Sequence, residues 1–156
     1  MAVDVWRGLW DTAPAQKQAA FRALAADFHQ FKLLPDYDRT ASMLFGVDVS
    51  YAVPTVGSLK ELWHVHLPPP RSDRAARQQW VSARQGARAS DSALIYARSS
   101  KSPEDYIIIW HLQTRAHETA KMKSDPNRDL MLRCARVAED WRNNRASFVD
   151  WVNLVP

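Results

Sequence analysis

Two segments, Ala93 to Ala97 (ALIYA) and Asp105 to Leu112 (DYIIIWHL), are dense in Ile, Tyr and Trp, whose branched or flat side chains suit a pleated, half-buried surface. Between them Ser99 to Pro103 supplies a short polar connection, flanked by Arg98 and Glu104. A connection that short joins antiparallel neighbours, because a parallel crossover needs a dozen or more residues. The chain must therefore build a sheet around this hairpin. Leu62 to Leu67 (LWHVHL) alternates as a further strand, stopped by the triple proline Pro68 to Pro70, which cannot donate to a ladder. Residues 2–10 (AVDVWRGLW) are apolar enough for another strand.

Helical periodicity fills much of the remainder. Asp11, Thr12 and Pro14 supply a turn and a helix start, after which Phe21, Leu24, Phe28 and Phe31 recur at helical spacing as far as Leu34, before Pro35. Ser72 or Asp73 can cap a helix over Arg74 to Arg84 that Gly86 breaks. Ala116 to Met122 suits a short helix, and Ser124, Asp125 and Pro126 open a longer one from Asn127 to about Asn144. On that last helix Leu130, Cys134, Val137 or Ala138, and Trp141 share a face, which makes Cys134 a small core residue. Residues 35–60 contain Pro35, Gly46, Pro54 and Gly57 and read as mostly loop with short pieces of structure. The tail from Phe148 to Val155 alternates apolar pairs with Asp150 and Asn153, a pattern suited to covering a sheet edge or a partner. The expectation is an α+β fold, a small antiparallel sheet with packed helices, and at 156 residues a single domain by the usual ~100–200 residues per domain.

Composition excludes several classes. With 46% apolar and 24% charged residues the chain is ordinary for a globular protein. Its apolar runs, such as Tyr106 to Trp110, fall far below the ~20 residues of a membrane helix, and the first ten residues carry no basic-then-apolar leader. No membrane partner and a cytoplasmic location are expected. The single cysteine permits neither an internal disulfide nor a thiolate zinc cluster. No glycine-rich phosphate loop, nucleophile elbow or helical two-histidine zinc motif is present, so no cofactor is expected.

The net charge of +4 is concentrated: Arg71, Arg74, Arg77, Arg84 and Arg88 lie within 18 residues that hold one acid, Asp73. Arginine forks suit phosphates and nucleobases, so Arg71, Arg74, Arg77 and Arg84 are candidate RNA contacts; a solvated helix face is the plainer reading. His64 and His66, two apart on a strand, face one side and place two imidazoles within reach of one metal, although only two ligands are specified. His111 sits in the most apolar strand and reads as a buried structural histidine. His117 follows that strand in a polar setting with Lys121 four residues on.

The order of these pieces resembles the YafO family of bacterial toxins from type II toxin–antitoxin pairs. The resemblance runs with gaps from about residue 3 to residue 145, through ALAADFHQFKLLPD (Ala23 to Asp36), HVHL (His64 to Leu67), RASDSALIYA (Arg88 to Ala97) and AHETAK (Ala116 to Lys121). It implies a RelE-like toxin architecture, cleavage of translated mRNA on the ribosome, and a cognate antitoxin. This chain differs in its arginine-rich stretch around Ala75 to Gln85, in Ala97 where a cysteine is often found, and in residues 147–156, a tail beyond the resemblance.

Metal-independent RNA cleavage needs a base for the ribose 2′-OH, cations for the charge growing on phosphate, and an acid for the leaving 5′-oxygen. The candidates are His117 as acid/base, His66 as second acid/base, Arg88 as transition-state clamp, Lys121 as auxiliary cation, Asp91 to orient Arg88 or a histidine, and Tyr96 to stack on a base or donate a hydrogen bond. Asp91 as a turn or cap residue, and Tyr96 as sheet packing, are equally open. Two other functions stay in play: a non-catalytic RNA- or ribosome-binding inhibitor of translation, and a metal-dependent hydrolase using His64 and His66.

Overall fold

The computed structural model describes residues 2–35, 42–51, 61–84, 86–102, 104–144 and 151–155. Much of the stretch read as loop, Gln85, Pro103 and the start of the tail lie outside these residues. The elements in chain order are β1 (Val3–Trp6), α1 (Arg7–Trp10), α2 (Ala15–Leu33), β2 (Asp48–Ser50), β3 (Leu62–His66), α3 (Arg74–Ser82), β4 (Ala93–Arg98), β5 (Tyr106–Leu112), α4 (Ala116–Ala120), α5 (Asp125–Asn144) and β6 (Trp151–Val155). The class is α+β, consistent with the RelE-like architecture that the resemblance implied.

The strands form one six-stranded sheet in the order β2-β3-β4-β5-β1-β6. β4 and β5 make the expected antiparallel hairpin, with Ala93 opposite Leu112 and Arg98 opposite Tyr106. The sheet is mixed rather than purely antiparallel, because β1 runs parallel to β5, with Val3 beside Tyr106 and Val5 beside Ile108. The long stretch between those two strands holds β2 to β4 and α1 to α3, ample for the crossover that parallel pairing needs. Residues 2–10 are not the single strand that their apolar content suggests. The strand stops at Trp6 and residues 7–10 turn into α1, where Thr12 Oγ1 donates to the carbonyls of Gly8 and Leu9 at 3.1 Å each. α2 starts on Pro14 and not on a side-chain cap.

Side chains alternate along the strands and so build a core on each face. On one face Leu62, Ala93, Ile95, Ile107 and Ile109 pack under α5 through Met131, Cys134, Ala135, Ala138 and Trp141. On the other, Val65, Leu94, Tyr96, Tyr106 and Ile108 pack under α2 through Ala25, Phe28 and Phe31. Burial pushes the Cys134 thiol up to about 12, as befits a core residue. The tail closes the sheet: β6 pairs antiparallel with β1, with Val5 opposite Val152. Fully buried Asp4 ties the junction, accepting from Trp141 Nε1 at 3.1 Å and Asn153 Nδ2 at 2.9 Å.

Asp73 is the cap of α3, accepting from the Ala76 amide at 3.0 Å. Trp80 turns inward from that helix and donates its indole N–H to the Met43 carbonyl at 3.0 Å. Gly46 is required here: a Cβ on it would stand 2.0 Å from the Arg88 carbonyl oxygen and 2.6 Å from the Trp80 ring. That close approach lets the Gly46 amide reach the His66 carbonyl at 2.9 Å and the Val47 amide reach the Arg88 carbonyl at 2.8 Å, fastening the loop to the end of β3.

Candidate active site

Leu62, His64 and His66 point to the α5 face of the sheet, while Trp63 and Val65 point to the α2 face. The two histidines therefore share a side, as their spacing implied, with ring centroids 5.2 Å apart in an edge contact. Beyond β5 the chain re-enters this face through α4, and His117 stacks on His66 at 5.2 Å with an interplanar angle of 27°. Tyr51 stacks on the other end, 4.3 Å from His64. The result is a row Tyr51, His64, His66, His117 in which Tyr51 and His66 are buried, His64 is partly buried and His117 is exposed.

His117 is positioned by Asp91. The carboxylate accepts from the Arg115 amide at 2.8 Å and the His117 amide at 3.1 Å, and lies 3.2 Å from His117 Nδ1. Asp91 is thus both a cap, of α4 and not of its own strand, and the partner of the imidazole. Arg115 adopts φ 59°, a left-handed conformation that costs free energy for a residue with a Cβ. The Asp91 carboxylate bonds hold that turn. Burial raises the Asp91 carboxyl, but its bonds to the His117 amide, the His117 ring and the Arg115 amide outweigh this and leave it below the ordinary carboxylate value.

His66 Nδ1 lies 2.7 Å from the Ser90 carbonyl oxygen. A carbonyl only accepts, so Nδ1 carries the proton and Nε2 keeps the lone pair. Burial lowers the His66 pKa, and His117 adds to this against the raising effect of Ser90. Burial with His66 alongside takes His64 down to about 4. Its Nδ1 is buried and has no hydrogen-bond partner among the described residues. Both strand histidines are therefore neutral at pH 7. Among the described residues no group of three or more His, Cys, Asp or Glu side chains is arranged to hold a metal ion.

Other sequence candidates are placed elsewhere. Lys121, exposed at the end of α4, stands one turn on from His117. Arg88 does not join the cluster: its guanidinium is buried, donating Nε to the Trp80 carbonyl at 3.1 Å and Nη1 to the Ser42 carbonyl. This arginine braces the loop before β2, because a buried guanidinium must satisfy its N–H groups locally, and it is not posed as a clamp. Tyr96 lies on the opposite face of the sheet, fully buried, donating to Asp48 Oδ1 at 2.6 Å and accepting from Lys32 Nζ at 2.6 Å. Strand alternation separates it from the histidines, so it neither stacks on nor donates to anything bound there. Arg71, Arg74 and Arg84 are exposed, and Arg77 is partly held by the Pro69 carbonyl at 3.3 Å. His111, partly buried with its pKa lowered by burial, stands 3.5 Å from Ser92 Oγ and edge-on to Phe21, outside the row. Sequence reading missed Tyr51 and the Ser90 carbonyl, the first because its position depends on β2 meeting β3, the second because any residue type supplies a carbonyl.

The α+β sheet thus carries a carboxylate-held histidine stacked on a second, neutral histidine. The family model described as Toxin YafO, type II toxin-antitoxin system, matches residues 26–143. The chain belongs to that family of toxins. No curated protein and no solved structure matches it. The matched region contains both histidines, Asp91 and the arginine strip, and leaves β1 and β6 outside. Among the described residues no helix is long and apolar enough to cross a membrane.

Proposed function

We propose that this toxin is an endoribonuclease that cleaves translated mRNA, in the cytoplasm and on the ribosome, by metal-independent acid–base chemistry, and that a cognate antitoxin neutralises it. The observation that carries this reading is the stacked His66–His117 pair. Each ring is held at Nδ1 by a different oxygen, Ser90 carbonyl for His66 and Asp91 carboxylate for His117, which directs both Nε2 atoms to chemistry. Two imidazoles in stacking contact resist carrying two charges at once, and an acid–base pair needs that asymmetry.

His66, neutral through burial, takes the proton from the ribose 2′-OH at Nε2. The 2′-oxygen forms a bond to phosphorus as the bond from phosphorus to the 5′-oxygen breaks, and His117 delivers a proton to that departing oxygen. The products are a 2′,3′-cyclic phosphate and a 5′-hydroxyl end. Lys121 is the candidate cation for the charge developing on the phosphate. Arg71, Arg74, Arg77 and Arg84, which follow β3 directly beyond His66, supply RNA affinity.

Brief expression of the wild-type chain should generate new 5′-hydroxyl ends within translated messages. The purified chain with ribosomes and message should give the same ends in excess chelator. His66→Ala and His117→Ala should each slow cleavage by about 10²-fold or more. Intact transcripts alongside blocked translation would establish the non-catalytic inhibitor instead, and loss of cleavage in chelator would establish the metal-dependent reading.

A further inference from the structure

A second polar constellation lies on the opposite face of the sheet, near the β2 edge, in a cleft of about 490 Å3. Its lining includes Lys32, Asp48, Trp63, Arg88, Arg98 and Tyr106. Lys32 from α2 pairs with Asp48 Oδ2, and Tyr96 donates to Asp48 Oδ1 at 2.6 Å. The lysine side chain is 4% exposed and the aspartate 15%, so the carboxylate is the more accessible member of the pair. Each of its oxygens has one bond from this pair and retains further acceptor capacity. The Arg98 guanidinium lies over the Trp63 ring, 4.9 Å from its centroid.

These features restrict the chemistry of a ligand. The accepting edge of Asp48 calls for two adjacent N–H donors. A cationic ligand such as an arginine side chain is disfavoured, because Lys32 already neutralises Asp48 and the cleft holds three cations against one carboxylate. The balance favours an anion that carries a neutral donor pair and a flat ring to lie among aromatic walls. Guanine offers two such donors on its Watson–Crick edge, N1–H and N2–H2, whereas adenine offers N6 beside an acceptor and uracil one N–H between two carbonyls.

We propose that this cleft binds a guanine nucleotide, with Asp48 accepting from N1–H and N2–H2, Trp63 beside the base, and Arg98 pairing with the phosphate. The site is separate from the histidine row and does not depend on the nuclease reading. The shared chemistry is a guanosine phosphate, whether free or as one residue of an RNA strand.

Calorimetric titration of the full chain with GMP, IMP, AMP and guanosine tests it. GMP should bind saturably with Kd below about 1 mM and about tenfold tighter than IMP, which lacks the N2 amine, with AMP weaker again. Arg98→Gln should weaken GMP about fivefold and leave guanosine unchanged. Asp48→Asn should erase the preference for GMP over IMP; since it breaks a buried pair, the Arg98 variant carries the test where Asp48→Asn does not fold. Short RNAs with 2′-O-methyl riboses, with and without one G, distinguish the source. A G-containing strand at least tenfold tighter than GMP, and displaced by it, marks an RNA residue; equal affinity marks a free nucleotide. GMP binding no tighter than IMP and AMP, or Arg98→Gln leaving GMP affinity unchanged, overturns the proposal. A chain that binds GMP without cutting mRNA overturns only the nuclease.

Discussion

The two faces of the sheet carry similar polar residues in opposite circumstances. On the α2 face, Lys32, Asp48 and Tyr96 bond one another beneath Phe28 and Phe31. On the α5 face, His66 and His117 each hold one protein oxygen at Nδ1 and touch each other only by stacking. The first cluster is a closed network whose charges neutralise within it, apart from the edge of Asp48. The second leaves the Nε2 atoms without a hydrogen-bond partner among the described residues and is held by a left-handed turn at Arg115. Buried polar groups that satisfy one another stabilise the fold, whereas a ring held at one nitrogen keeps the other available to a bound molecule. The nature of the residues does not distinguish the two; their partners do.

The largest break in this comparison should come from Lys32→Met, which leaves Asp48 partly buried without its cation. A cost of about 3–5 kcal/mol is expected, read as a lower urea midpoint. A change near zero would mean that the α2-face network does not support the fold.

A second effect belongs to the α5 face. Burial holds His64 at about 4 in the folded chain, against about 6.5 when unfolded. Below the unfolded value the unfolded state binds the proton first, so stability is full above pH 6.5 and declines towards pH 4 by about 3 kcal/mol. His66, with its pKa also lowered by burial, adds to the decline in the same direction. Urea titrations at pH 7.5, 5.5 and 4 should show it, and His64→Phe should flatten it; a pH-independent midpoint contradicts the burial of this row.

A third pair of variants separates the faces by readout. Asp91→Asn should slow RNA cleavage about tenfold by loosening the orientation of His117, with a modest loss of stability. Tyr96→Phe should do the reverse, lowering stability by about 1–2 kcal/mol through an unmade buried hydrogen bond while cleavage stays at the wild-type rate. Slow cleavage by a well-folded Tyr96→Phe protein would return Tyr96 to the active site.

The smallest expected effect is electrostatic. Neutralising Arg74, Arg77 and Arg84 should flatten the salt dependence of RNA binding by about 0.7 in slope for each phosphate that no longer meets an arginine. An unchanged slope assigns the strip to solvent.

Much of this molecule was readable in the chain. The β4–β5 hairpin follows from β-branched and aromatic runs a short connection apart; the helix expected over Arg74 to Arg84 from a Ser72 or Asp73 cap forms on Asp73 and ends earlier, at Ser82. The inward face of α5 followed from helical spacing, and the shared side of His64 and His66 from strand alternation. These features rest on neighbours within a few residues, which a sequence displays. The site was only half legible. The sequence offers His117 and His66 together as acid–base candidates, but nothing in the chain says that two residues so far apart along it stack. Arg88 looked like a clamp because its charge is visible and its carbonyl partners are not.

Local periodicity, caps and turn chemistry set which segments become strands and helices, and they set which side of a strand each residue faces. Tertiary structure alone decided that β1 would lie parallel to β5, that β6 would close the edge, and that Asp91 would cap α4 while orienting His117. It also put Tyr96 with Lys32 and Asp48, away from the histidines. The physical reason is range: a backbone period acts over one or two turns. The pairing of a carboxylate with an imidazole or an ammonium depends on distances that only the packed sheet establishes.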